Sequence, residues 1–139
     1  MAIFEWDDSI SLSIPAIDEQ HKELLGWIGS LNAAVQKGEG AQVIGDVLLK
    51  LISYVCYHFE EEERLLRSAN YSDFAGHRQE HDDFVKRLQD IQAHFRDGDE
   101  LSRNTLDFMS DWIVLHIRGT DQKYGELLRS KLGTVEASK

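Results

Sequence analysis

Four stretches of this chain place apolar residues at alternating steps of three and four, and the only proline, Pro15, lies ahead of them. That step keeps side chains on one face of an α-helix, and without an interrupting proline such helices can run long. The first is expected from about Asp18, read as its N-cap, to Lys37. Leu24, Leu25, Ile28, Leu31 and Val35 form its stripe, and Gly38-Glu39-Gly40 ends it. The second spans about 41–69 through Val47, Leu51, Val55, His58, Glu62 and Leu66, with Asn70 suited to a left-handed residue after its last turn. The third, about 73–96, carries Phe74, His77, His81, Phe84, Leu88, Ile91 and Phe95, and Asp97-Gly98-Asp99 closes it. The fourth starts near Ser102, a second N-cap, and continues to about Leu128. Four long amphipathic helices joined by short turns predict an all-α fold, an antiparallel up-down-up-down four-helix bundle.

A length of 139 residues suits one domain. The bundle is expected over about 18–131. An extended N-terminal arm (1–17) containing Ile10, Leu12, Ile14 and Pro15 is expected to pack across it, and 132–139 to form a frayed tail. Fifteen Lys and Arg against twenty-five Asp and Glu leave a net charge of -10, which excludes a nucleic-acid binder built on a basic surface and makes anionic membranes poor partners. No apolar run approaches the roughly 20 residues of a spanning helix, and residues 1–8 lack the basic and apolar regions of a secretory signal. The single cysteine, Cys56, reads as a buried small residue and suits a reducing compartment. A monomer in the cytoplasm is the expectation.

The histidines demand an explanation. Of six, all but His94 fall on the apolar stripes: His21 on the first, His58 four before Glu62 on the second, His77 and His81 on the third, His116 after Met109 and Trp112 on the fourth. Residues four apart lie one turn above each other on one helix face. At about 1.5 Å per residue, all five positions reach the same end of an up-down-up-down bundle. A lone histidine on an apolar face is commonly a hydrogen-bonded core residue. Five in one layer with an acid would cost several kcal/mol if left without partners, and a bound metal supplies those partners.

The fourth stripe also breaks its own rhythm. After Met109, Trp112 and His116 the next member falls due at 119 or 120, which hold Gly119 and Thr120, yet the stripe resumes at Asp121, Tyr124 and Leu128. A step of five is what one inserted residue produces, so a π-bulge between His116 and Asp121 is expected to bring that carboxylate into the layer. The alternative is an acid facing solvent beyond a helix end marked by Gly119.

The candidate set is therefore His21, His58, Glu62, His77, His81, His116 and Asp121. With Asp-Glu-Gln-His (18–21), His-Phe-Glu-Glu-Glu-Glu (58–63), His77-Arg-Gln-Glu-His81 and His116-Ile-Arg-Gly-Thr-Asp121 followed by Tyr124, the chain resembles the hemerythrin family over nearly its whole length, and its bacterial single-domain members in particular. The resemblance implies reversible dioxygen binding at a non-haem di-iron centre, with two iron ions per chain, rather than an enzyme. It implies that His77, His81 and His116 hold one iron and His21 and His58 the other. Glu62, Asp121 and an oxo or hydroxo group would bridge them, which leaves one position open on the iron with fewer histidines. Imidazole alone does not choose among iron, zinc and copper; two bridging carboxylates argue for a pair of metals. Phe59, Trp112 and Ile113 stand where the family lines an apolar dioxygen pocket. On that reading Ile113→Ala admits water and speeds autoxidation.

Three rival roles are set against oxygen delivery, storage or buffering. Di-iron oxidases also use four-helix bundles, but their sites carry Glu-x-x-His pairs. The residues three before each histidine here are Asp18, Val55, Phe74, Arg78, Ile91 and Ile113. Slow peroxidase or nitric-oxide chemistry stays open. A sensor module would need an output partner, and an iron store would take up many irons per chain.

Overall fold

The computed structural model describes residues 6, 11–12, 14–98, 100–123 and 125. Expectations for Ile10, Tyr124, Leu128 and the tail lie outside the described residues. Among the described residues four helices form the bundle: α1 (Pro15–Gln36), α2 (Ala41–Ser68), α3 (Phe74–Arg96) and α4 (Arg103–Leu115), the last continuing into a π-helical turn, His116–Asp121. The described residues contain no strand and no helix long and apolar enough to cross a membrane.

Local chemistry explains the boundaries. Gly38 (φ 72°) and Asn70 (φ 55°) take the left-handed conformation after α1 and α2, as the turn residues predict. Ser102 caps α4, its Oγ accepting from the Thr105 amide at 3.1 Å. The expected start of α1 is corrected. The helix begins at Pro15, with Ile14 as a β-region N-cap that makes no side-chain cap bond, so the arm ends at residue 14. Proline supplies a first-turn φ and lacks only a donor that would be orphaned there. Asp18 instead sits in the first turn of α1, where its carboxylate accepts from Ser11 Oγ at 2.5 Å and from the Leu12 amide at 2.9 Å. The acid thus ties the arm to the helix.

Two apolar clusters bracket one polar layer. The larger joins Leu24, Leu25, Ile28 and Leu31 of α1 to Leu51, Val55 and Phe59 of α2, Phe84 and Leu88 of α3, and Met109, Ile113 and Ile117 of α4 and the π turn. The smaller packs Leu12 and Ile14 of the arm onto Ile17, Leu66 and Ala69. In chain order, His21 lies between Ile17 and Leu24, His58 and Glu62 between Val55 and Leu66, and His77 and His81 between Phe74 and Phe84. The layer they form is therefore closed by apolar side chains above and below, the arm providing one of the two lids.

Candidate metal centre

Helical periodicity delivers six of the seven expected side chains, and the π turn delivers the seventh. In an α-helix Asp121 would point about 140° away from His116. The i to i+5 hydrogen bonding of the turn over His116–Asp121 cuts that offset to about that of residues four apart in an α-helix, so both face the layer. His21, His58, Glu62, His77, His81, His116 and Asp121 are all between 0 and 6 % exposed. His94 is exposed, as expected from its place off the stripe. Cys56, expected to be buried, is half-buried because its position on α2 faces a surface groove against α3.

The distances sort the five imidazoles into two groups around the carboxylates. Glu62 Oε1 lies 2.7 Å from His77 Nε2 and 3.0 Å from His81 Nε2, while Glu62 Oε2 lies 3.2 Å from His58 Nε2 and 3.6 Å from His21 Nε2. Asp121 divides in the same way: Oδ1 is 3.2 Å from both His77 and His116 Nε2, and Oδ2 is 3.2 Å from His21 Nε2. Each acid therefore shows one oxygen to the group of three histidines and the other to the group of two. Ligand atoms of Glu62, His77, His81, His116 and Asp121 lie within 4.8 Å of one another, as do those of His21, His58 and Glu62.

Hydrogen bonding alone does not account for this cluster. Both nitrogens of His21, Nε2 of His58 and both oxygens of Asp121 are buried without a hydrogen-bond partner, a costly state for groups that have left water. His81 and His116 aim Nε2 at Nε2 across 3.1 Å, an arrangement expected of two lone pairs directed at one cation. Electrostatics agrees. Burial opposes protonation of His21 and His77, yet the acceptor oxygens of Asp121 and Glu62 beside the rings outweigh it and carry their pKa values up to about 9 and about 10. His81 is raised by Glu62 and Glu63 against the same opposition from burial, whereas burial prevails at His58 and lowers it. Burial works against ionisation of both acids, but the surrounding imidazoles hold Glu62 and Asp121 below the usual carboxylate range. The layer is an anionic cage that calls for positive charge at its centre, and nitrogen and oxygen donors of this kind suit a transition metal.

Outer partners orient the rings, and the sequence reading did not single them out. His58 Nδ1 meets Gln20 Oε1 at 2.7 Å, and His81 Nδ1 meets Glu63 Oε2 at 2.9 Å. Both oxygens accept, so Nδ1 carries the proton and the neutral ring keeps its Nε2 lone pair for the centre. Glu80 stands 3.7 Å from His116 Nδ1, beyond hydrogen-bond range.

Aromatic rings press on two of the imidazoles. Phe59 stacks on His81 (3.7 Å between centroids, 1° between planes) and Trp112 on His116 (4.5 Å, 14°), with Phe84 stacked behind Trp112 at 3.9 Å. A cavity of about 10 Å³ touches His21, His58, His116 and Asp121, room for about one water-sized molecule. Phe59, Trp112 and Ile113 line it; so do Leu24 and Val55, which lie on the stripes, and Ile117, which no stripe included.

A four-helix bundle whose core gathers five imidazoles around two shared carboxylates is a metal-binding bundle protein in its architecture. Known proteins narrow the class. Residues 12–128 match the model of the hemerythrin HHE cation binding domain. The chain is 35% identical to a bacteriohemerythrin of Methylococcus capsulatus, over 92% of its own length and 98% of the relative's. It is 32% identical to one of Stenotrophomonas maltophilia, over 95% and 86%, and 30% identical to a myohemerythrin of Theromyzon tessulatum, over 87% and 90%. The crystal structure of wild-type hemerythrin superimposes with a TM-score of 0.86 at 34% identity, covering 91% of this chain and 98% of that one. The chain belongs to the hemerythrin family.

Proposed function

We propose that this chain binds dioxygen reversibly at a non-haem di-iron centre, with His77, His81 and His116 on one iron, His21 and His58 on the other, and Glu62 and Asp121 bridging them. The observation that carries the reading is the division of each carboxylate, one oxygen toward the three-histidine group and one toward the two-histidine group. A lone metal would have no use for that division. When bound, a ferrous pair supplies the electrons that allow dioxygen to be held and released.

The remaining work belongs to the chain. The cavity beside His21 and His58 is walled by Leu24, Val55, Phe59, Ile113 and Ile117, so it admits a small apolar gas and discourages charged reductants. As metal ligands, five imidazoles without charge and only two acids would form a donor set less anionic than that of a carboxylate-rich oxidase, which favours holding the gas over oxidising a substrate. The relatives' names, bacteriohemerythrin and myohemerythrin, fit this role. A single half-buried cysteine suits a reducing compartment, and we place the work there, as delivery, storage or buffering of oxygen in the cytoplasm.

Anaerobic loading with ferrous iron followed by cycles of oxygen and argon tests the reading. The expected result is uptake that stops at an iron pair per chain and a coloured oxygenated form that bleaches on degassing. Irreversible oxidation in the first cycle would point to an enzyme, and continued uptake of iron to a store. In the same assay Ile113→Ala is expected to autoxidise about tenfold faster, equivalent to lowering the barrier by about 1.4 kcal/mol, because the truncated wall admits water. An unchanged rate would remove Ile113 from the gating role.

A further inference from the structure

The two groups of histidines differ in what stands behind them. His58 donates from Nδ1 to the neutral amide oxygen of Gln20 at 2.7 Å. His81 donates to a carboxylate, Glu63 Oε2, at 2.9 Å. Glu63 is not itself in the layer. It lies at the floor of a surface groove between α2 and α3, its side chain 14 % exposed, with its other oxygen 4.0 Å from Arg78 Nε. Arg78 in turn lies 3.8 Å from Asp82. On its inner side, the His81 ring is fixed by Phe59 stacked on its face at 3.7 Å and by Nε2 directed at Glu62 and His116. Phe59 holds the plane of the ring and the inner partners its Nε2 edge, and Glu63 holds the Nδ1 edge.

We infer that Glu63 is a positioning residue for the metal centre, orienting His81 and loading its ring with negative charge through the Nδ1 hydrogen bond, while Gln20 orients His58 without adding charge. The inference rests on the di-iron reading above and adds an asymmetry to it. A carboxylate behind an imidazole raises the basicity of the inward nitrogen and stabilises a more highly charged cation; a neutral amide only fixes the ring. The three-histidine half is therefore the electron-rich half, and Glu63 links the groove to the centre through His81.

Glu63→Gln keeps the shape of the side chain and removes the charge. Ferrous iron affinity, measured anaerobically against a competing chelator, is expected to fall about 10- to 100-fold, and the midpoint potential of the loaded protein to move positive. Glu60→Gln removes the same charge from the same groove without touching a ligand imidazole, and is expected to stay close to the parent. Gln20→Glu places a carboxylate behind His58 and is expected to move the potential negative, which tests the claim even if Glu63→Gln fails to fold. Parental affinity and potential in Glu63→Gln would overturn the inference. So would an equal shift in Glu60→Gln, which would reveal long-range charge alone, or an unmoved potential in Gln20→Glu. A parent chain that takes up no iron would instead overturn the di-iron reading itself; normal uptake with an indifferent Glu63→Gln would overturn only the positioning role.

Discussion

Glu62→Gln is expected to weaken binding of the iron pair by more than about 100-fold, beyond the range seen when an outer partner of a ligand is lost. Its two oxygens lie within 3.6 Å of four of the five imidazoles, and the side chain is fully buried. Glutamine preserves the volume but turns one oxygen into an NH2 donor facing nitrogen lone pairs, and it removes one of two negative charges from the cage. Because no cavity is created, helix content by circular dichroism is expected to remain parental while iron titration fails. Parental iron affinity in this variant would show that Glu62 does not bridge.

Stripping iron with a chelator is expected to lower the melting temperature by roughly 10–20 °C. A ligand that binds only the folded chain stabilises it by about 4 kcal/mol at a free concentration near 1,000 times its Kd, and each kcal/mol is worth a few degrees in a domain of this size. The donors come from α1, α2, α3 and the π turn, so the cluster does not exist in an unfolded chain and binding free energy becomes folding free energy. The buried Nε2 of His21 and oxygens of Asp121 that lack hydrogen bonds are the groups the ion would compensate. Scanning calorimetry of loaded and chelated protein reads the shift directly. Coincident melting curves would mean that the layer is not organised around metal.

Much of the centre was legible before any coordinates. The His58–Glu62 and His77–His81 pairs are local facts of a 3.6-residue period, and the step of five from His116 to Asp121 announced the π turn that the structure contains. Ser102 could be read as a cap for the same reason: the bond it makes is to a residue three positions on. Asp18 misled. An acid just before an apolar period has the composition of an N-cap, but Pro15 had already set the first-turn geometry, and the partners of the Asp18 carboxylate lie backward in the arm. Cys56 misled more mildly, since its exposure depends on a groove formed with α3. Gln20 and Glu63 stand beside the ligands His21 and Glu62 in the sequence, yet nothing in their spacing says which ring each would face.

The order of residues alone therefore determined the helices, their buried faces, the level at which the histidines meet and the widened turn after His116, because each depends on contacts a few positions apart along one rod. Packing of the rods decided the rest. It set how each carboxylate divides its oxygens between the two groups of imidazoles, which ring leans on Gln20 and which on Glu63, and how the arm closes the layer. Those outcomes turn on the rotation and separation of neighbouring helices to within an ångström or so, a quantity that no periodicity within a single helix contains.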